Sequence, residues 1–442
     1  MRIQLSDHFT YAKLLRFTAP SVIMMIFTSI YGVVDGIFVS NFVGKTPFAA
    51  LNLVYPVLMI LGAFGFMIGT GGTALVAKTL GQGRRETANQ YFSLMVYAAI
   101  LGGAVISLAG FVFLRPLAAA LGAKGEMLEY CVLYGRIILL ANPFFILQNV
   151  FQSFFVSAEK PKLGLFVTIG AGLTNIAMDA LLVAGLRLGL AGAAAATALS
   201  QLVGGLVPVF YFARPNSSLL RLTKTRFSGG ALARSCANGS SELMSNISAS
   251  LVNVLYNFQL MRLAGEDGVA AYGVIMYVAF IFAAIFIGYA VGGAPVVSYH
   301  YGADNQGELR SLLRKSLVLT AAAGGAMTAL AVLAAGPLSR IFVGYDPALC
   351  DMTERGLRLF GISFLFAGFN IFGSAFFTAL NNGLVSAAVS FLRTLVFQCA
   401  SVLLLPLFWD LDGVWLSVAA AEAMALAVTA ACLAANRKRY GY

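Results

Sequence analysis

Apolar runs long enough to cross a bilayer recur along this whole chain. The sequence holds twelve, at about 17–42, 52–77, 89–113, 127–157, 164–186, 190–212, 235–262, 269–300, 309–335, 352–379, 384–408 and 413–435. Roughly 20 apolar residues span ~30 Å of hydrocarbon, where no water is present to bond exposed peptide groups. Such a span must be a helix or part of a closed barrel, and no period-two alternation marks a barrel. The expected fold class is therefore all-α integral membrane, with twelve transmembrane helices. The residue balance agrees: 60% are hydrophobic and only 11% charged, which no soluble core needs.

The two halves match without a gap at an offset of 221, half of 442. Gly44 falls on Gly265, Gly71–Gly72 on Gly292–Gly293, Gly81 on Gly302 and Pro116 on Pro337. Gly135 falls on Gly356, Asn149 on Asn370, Ser153 on Ser374 and Gly192 on Gly413. Six spans per half is an even number, so the repeats are expected to be parallel, related by an axis along the membrane normal. They occupy 1–212 and 235–442, joined by a polar, basic linker at 213–234. A repeat of this size in a membrane protein points to a transporter with its site between or within the repeats. Positions where the halves differ then become candidate functional sites.

Nineteen Lys and Arg residues fall at one set of helix ends, among them Arg2, Arg84, Arg85, Lys160, Lys162 and Arg437–Arg439. Seven fall at the other, among them Lys45, Arg115, Arg187 and Arg340. The positive-inside rule then puts both termini in the cytoplasm of a multi-pass protein of the bacterial inner (plasma) membrane. The net charge of +11 follows from this topology and is not a nucleic-acid signal. The first apolar run is too long for a cleavable signal. The loops at Gly81–Glu86 and Gly302–Glu308 are glycine-broken but lack the Gly-Lys-Ser/Thr ending of a P-loop. With no ATP-hydrolysing domain and no cofactor expected, uphill transport must run on an H⁺ or Na⁺ gradient. The five cysteines form no CxxC pair and no metal spacing, and are read as inert, partly buried thiols.

Ionisable groups inside spans cost at least ~3 kcal/mol each and usually face a cavity or a partner. Asp35 lies two-thirds along the first span with Tyr31 one turn before it, and Asp179 lies in the fifth with Asn175 one turn before it. The fourth span carries Gln148, Asn149, Gln152 and Ser153, and the sixth carries Thr197, Ser200 and Gln201. At offset 221, Asp35 meets Tyr256, Asp179 meets Ala400, Asn175 meets Val396 and Thr197 meets Val418. The second half keeps the scaffold and has lost the polar set. A network that only ties helices together would tend to survive in both halves, whereas a site used once need not. Two carboxylates with amide and hydroxyl oxygens suit a Na⁺ ion or a shared proton.

The seventh span has its own polar stripe, Glu242, Asn246, Ser250, Asn253 and Asn257, all on one helical face. Such a face lines a cavity or gate, or packs against other polar helices. Arg393 and Glu422 sit at similar depth and suit a structural ion pair, with substrate contact as the alternative. Pro20 is expected to kink or weaken the first helix. The 35 Phe and 14 Met residues include enough pliable apolar surface to line a cavity for flat organic cations. No mid-membrane His or Cys–acid cluster supports an intramembrane enzyme.

On these residues the chain resembles the multidrug and toxic compound extrusion (MATE) family over essentially all twelve spans. The resemblance rests on Pro20 to Asp35, with Val-Val-Asp-Gly-Ile-Phe-Val at 33–39, the Gly81 loop, Asn175-Ile-Ala-Met-Asp179, and Gly192 to Gln201. It implies two six-helix lobes facing each other across a V-shaped cavity, and exchange of Na⁺ or H⁺ for organic, mostly cationic, amphipathic compounds. It also implies a cation or proton site in the first lobe at Tyr31, Asp35, Asn149, Asn175, Asp179 and Thr197. Of these, Asp35, Asp179, Asn175 and Asn149 are the candidate Na⁺ ligands, and Pro20 is the helix-bending proline. Gln152, Gln201, Glu242, Asn246, Asn253 and Asn257 are candidate cavity or gate residues. Some branches of the family carry acids deeper in helix 7 and in helix 10, which this chain lacks, so the first-lobe site is favoured.

The expected function is therefore that of a secondary multidrug efflux antiporter, not an enzyme. Its expected partners are small organic cations and the lipid bilayer, with no nucleic acid, and its default state is a monomer. The alternative within the same fold is a flippase for lipid-linked saccharides, an anionic cargo that wants several cavity arginines. A carrier of the major facilitator type would need a basic signature with an Asp after the second span, which Gly81–Glu86 lacks.

Overall fold

The computed structural model describes residues 3–442, with the side chains of residues 33, 36, 37, 40, 41 and 45 excepted. Arg2 and the Lys45 side chain, which entered the charge asymmetry, lie outside the described residues, as do the side chains of Val33 and Ile37 in the 33–39 stretch. Long apolar runs without period-two alternation have only one way to bond their own amides in lipid. Accordingly, every regular element among the described residues is helical. The spans are α1 (Tyr11–Phe42), α2 (Lys45–Gly81), α3 (Arg85–Ala120), α4 (Gly125–Ser157), α5 (Pro161–Gly185) and α6 (Gly189–Ala213).

The helical stretch Gly229–Gly302 has 74 residues, about 110 Å at 1.5 Å per residue, far beyond ~30 Å of hydrocarbon. It is two spans, α7 (229–264) and α8 (266–302), broken at Gly265 with φ 61°. The repeat mate Gly44 makes the matching α1–α2 turn at φ 102°. Both angles belong to the left-handed side that glycine tolerates. The remaining spans are α9 (Gln306–Val343), α10 (Pro347–Gly361 and Phe364–Ala379, bent by 46°), α11 (Gly383–Leu404) and α12 (Pro406–Tyr440). Within α12, Asp410 turns at φ 46°, so the span proper starts after it.

Each half packs its own core. In the first, Phe92, Phe151, Phe154 and Phe212 form an aromatic cluster, with Phe151 and Phe212 stacked at 5.7 Å. In the second, Tyr256, Ile275, Phe360, Phe364 and Trp415 are buried together. The linker is not free-standing. Leu220 is fully buried, Asn89 Oδ1 accepts from Arg221 N–H at 3.0 Å, and Ser93 Oγ accepts from Thr223 N–H at 2.8 Å. Helix α7 starts at Gly229, so Arg234 lies in a helix and not in the linker, a correction to the boundary read from polarity. Polarity marks where a chain leaves lipid, and a helix continues past that point.

The lobes meet backbone to backbone. A Cβ on Gly71 would stand 1.9 Å from Ser235 O, and one on Gly239 1.9 Å from Met67 O. The offset of 221 carries this contact onto Gly292 against Thr18, where a Cβ would meet Thr18 Cα at 3.0 Å. Gly81 and Gly302, which are repeat mates, approach each other across the axis, each within 2.0 Å of a facing carbonyl if given a Cβ. Small residues are what let membrane helices come this close. This seam lies at the end of the bundle that holds both termini, since Leu5, Phe9, Tyr440 and Tyr442 share one core cluster. Gly71→Val should force the seam apart, because the obstructing atoms are backbone. The expected result is faster maleimide modification of Cys236, which packs against the first-lobe core beside Ser235; an unchanged rate would place the contact elsewhere.

Candidate functional site

Asp35 and Asp179 are carried by neighbouring helices whose close packing the sequence allows at Gly172. A Cβ there would stand 2.5 Å from Phe27 and 3.0 Å from Tyr31, so α1 seats its aromatic residues against bare backbone of α5. The turn that begins at Asp179 is π-helical through Gly185, with Leu186 N–H bonding back to Leu181 O at 2.8 Å. Such wide turns occur often at functional sites. Here the widening starts at the acid itself.

The Asp35 and Asp179 carboxyls are neighbours, with the Asn175 amide beside them and Tyr31 next to Asp35 and Gln148. Asp179 and Asn175 are buried, at 0% and 2% exposure. Yet Asp35 Oδ1, both Asp179 oxygens and both Asn175 side-chain atoms have no hydrogen-bond partner. Thr197 Oγ1, Asn149 Nδ2 and Gln201 Oε1 are unpartnered too. Each such buried atom costs ~1–3 kcal/mol, so a gathering of them in one lobe asks for a ligand. Carboxylate, amide and hydroxyl oxygens are hard donors that fit Na⁺, and two adjacent carboxyls fit a shared proton equally well.

The second lobe shows what the same scaffold does when the polar groups only hold the fold. Tyr256, at the position of Asp35, donates to Gln398 Oε1 at 2.9 Å and stacks on Tyr272 at 5.4 Å. Asn370, the mate of Asn149, donates to Glu422 Oε2 at 2.7 Å and to Glu422 O at 2.8 Å, and accepts from Thr429 at 2.9 Å. Glu422 is the mate of Gln201. Arg393, on a π-helical turn of α11, donates from Nε to both Glu422 oxygens at 2.9 and 3.0 Å. The positions that are satisfied in the second lobe are therefore unsatisfied in the first.

Not every expected residue joins the carboxyl pair. Asn149 lies in α4 beside Gln148, and no described contact brings it to Asp35 or Asp179. Thr197 is half-buried on α6. Pro20 neither ends nor breaks α1, which is helical from Tyr11 to Phe42; its missing N–H leaves the Arg16 carbonyl without a helical donor. Gln152 and Gln201 are buried in the first lobe. The α7 stripe bonds largely along itself: Asn246 to Glu242 O at 2.8 Å, Ser250 to Asn246 O at 3.2 Å, and Asn257 to Asn253 Oδ1 at 2.9 Å. Glu242 lies near Arg393. All five cysteines are free.

Sequence reasoning missed Tyr55 and Tyr134, which lie near enough to Asp35 to feel its charge, Tyr134 that of Asp179 as well. Depth counting would have found them. Asp35 and Asp179 lie seven and six residues before their helix ends at Phe42 and Gly185, and Tyr134 lies nine after Gly125. At 1.5 Å per residue these fall in one layer, ~10–15 Å from that rim.

The MatE family model matches the chain twice, over residues 20–181 and 243–402, so the two matches end 221 residues apart. The multidrug export protein MepA of Staphylococcus haemolyticus is 25% identical over 366 residues, covering 81% of this chain and 80% of that protein. A solved structure described as MATE in complex with MaL6 superposes with a TM-score of 0.92 at 23% identity, covering 98% of this chain and 97% of that one. Another, described as the outward-facing conformation of a multidrug resistance MATE family transporter, superposes at 0.91 with 22% identity and the same coverage. At these identities the structural likeness speaks for the fold.

Proposed function

The chain belongs to the MatE family of membrane transporters, and from that premise we propose that it is a secondary antiporter expelling amphipathic organic cations in exchange for H⁺ or Na⁺. The observation that carries this reading is the contrast between lobes. Asp35, Asn175 and Asp179 hold buried, unpartnered polar atoms, while in the second lobe Tyr256, at the position of Asp35, is hydrogen-bonded and the apolar Val396 and Ala400 stand at the positions of Asn175 and Asp179. A coupling ion entering as cargo would find its donors there: the Asp35 and Asp179 carboxylates and the Asn175 carbonyl oxygen.

Coupling requires that ion and organic cation favour different states of the two-lobe bundle, since a ligand shifts an equilibrium only by its difference in affinity. The lobes are closed at the end that holds the termini. With that end cytoplasmic, as the Lys and Arg bias suggests, the acid layer near the opposite rim loads from outside. Loading alters α1 and α5, and the cavity between the lobes then releases its organic cation. The export named for the MepA relative supports this direction and a plasma-membrane location, with the cytoplasmic placement of both termini resting on the charge bias. The flippase reading is weaker: an anionic cargo needs free arginines, and Arg393 is held by Glu422.

The test is ethidium movement in vesicles containing the purified protein, with an H⁺ or a Na⁺ gradient imposed separately. Exchange driven by one gradient and abolished by collapsing it is the expected outcome. Absence of exchange with either, in vesicles where the protein is folded, would sink the reading.

A further inference from the structure

The short segment before α1 touches both lobes. Leu5 and Phe9 are fully buried, although they precede any helix. Leu5 N–H donates to Glu159 Oε1 at 2.8 Å, and Glu159 belongs to the α4–α5 turn of the first lobe. Phe9 N–H donates to Glu308 Oε1 at 2.9 Å, and His8 Nδ1 lies 2.6 Å from Glu308 Oε2. Glu308 stands in the first turn of α9, in the second lobe. Lys315 Nζ donates to the Phe9 carbonyl and, at 2.7 Å, to Ser311 Oγ. The Phe9 ring meets Phe17 and His300 edge-on, at 5.7 and 6.5 Å. Thus one carboxylate from each lobe captures a backbone amide of the same peptide.

Two further observations say that these contacts matter. Glu159 is held at φ 54°, a left-handed conformation that strains a residue other than glycine, asparagine or aspartate. A glutamate there makes sense if its carboxylate has a task, and its contact with Leu5 supplies one. The seam beneath the segment is also poorly bonded. Ser21 Oγ and Ser235 Oγ, on the helices that touch at Gly288 and Gly71, are buried without partners, as is His300 Nε2. Buried atoms left unpaired destabilise the closed seam. Charge-assisted bonds to Glu159 and Glu308 are the stronger class of hydrogen bond and offset that weakness.

We propose that residues 3–10 form a strap that holds the two lobes together at the termini end through Glu159 and Glu308, and that this strap must come away before the lobes part there. The inference rests on the exporter reading only in taking the lobes to part; its test needs no transport. It makes Glu159 and Glu308 positioning residues of the conformational cycle, outside both the acid site and the cavity.

The experiment is the rate of maleimide modification of Cys236, mapped by mass spectrometry, in the full-length protein reconstituted in lipid nanodiscs. Glu308→Gln, Glu159→Gln and Phe9→Ala are compared with the unmodified chain. Losing one charge-assisted bond from one state only should raise the rate by about tenfold. Glu308→Gln keeps the side-chain volume, so it reports on the strap even if Phe9→Ala disturbs the core. Ion-dependent thermal stabilisation at the acid site should remain as in the unmodified chain. Cys236 rates within about twofold of that chain, for both glutamine variants in monodisperse protein, would overturn the strap; so would slower modification.

Discussion

Asp179→Asn is expected to stop ion-driven efflux while leaving the protein as stable as before, or more so. Asp179 is buried and both its oxygens are unpartnered. It contributes desolvation cost with no hydrogen bond to offset it. Replacing it with the isosteric amide removes a buried acid without opening a cavity, so the melting temperature should hold or rise. Function should go the other way. The amide cannot take up a proton and is a weaker ligand for Na⁺, so the ion no longer distinguishes the two states of the bundle. A coupling of this kind is typically worth 5–150-fold, and a loss of about 100-fold in gradient-driven ethidium efflux is the expected size. Asp35→Asn should behave alike. Efflux at the normal rate from either variant, at matched protein levels, would remove the carboxyl pair from the mechanism.

The second large effect is the reverse. Glu422→Ala should leave the first-lobe ion site intact and cost the fold heavily. Glu422 is 5% exposed and receives Arg393 and Asn370, while Asn370 is bonded in turn by Thr429. Removing one partner of a buried pair leaves an uncompensated charge, at a typical cost of 3–5 kcal/mol. One of the two Asn370 amide hydrogens loses its acceptor as well, while its bond to the backbone carbonyl of residue 422 remains. A clear fall in melting temperature in detergent is expected, with Na⁺- or pH-dependent stabilisation through Asp35 and Asp179 retained in whatever folds. If Glu422→Ala were as stable as the parent, the network would not be holding α10, α11 and α12 together. The two variants therefore separate a polar group that serves the fold from one that serves transport, on matching scaffolds.

The number of spans, their pairing into halves and the bearing of Asp35 and Asp179 were legible because each follows from one-dimensional signals. These signals are apolar length, a fixed offset, and charge where lipid forbids it. What stayed hidden needed three dimensions. The gap between spans 235–262 and 269–300 was marked by Arg262, Glu266 and Asp267, but nothing in it says that the two helices join through the one left-handed residue Gly265. Tyr55 and Tyr134 escaped notice because a tyrosine in an apolar span is unremarkable until its depth is compared with that of Asp35. Asn149 was grouped with the carboxyl pair on resemblance, and no described contact joins it to them. The strap at residues 3–10 was invisible as such, since Leu5 and Phe9 lie in a stretch too short and polar to read as anything but a tail.

The placement of a neighbouring acid pair in one lobe alone would also limit the energy available to an antiporter. A single Na⁺ shared by both carboxylates, exchanged for one monovalent organic cation, moves no net charge. Membrane voltage then contributes nothing, and the steepest drug gradient equals the Na⁺ concentration ratio. Two protons, one on each carboxyl, would move one extra charge per cycle, and every 100 mV would add about 2.3 kcal/mol. That is nearly a fiftyfold higher ceiling on accumulation. Whether the proposed exchange would carry current then depends on how many ions two neighbouring carboxyls accept, and a second lobe without such a pair would offer no way to add to it.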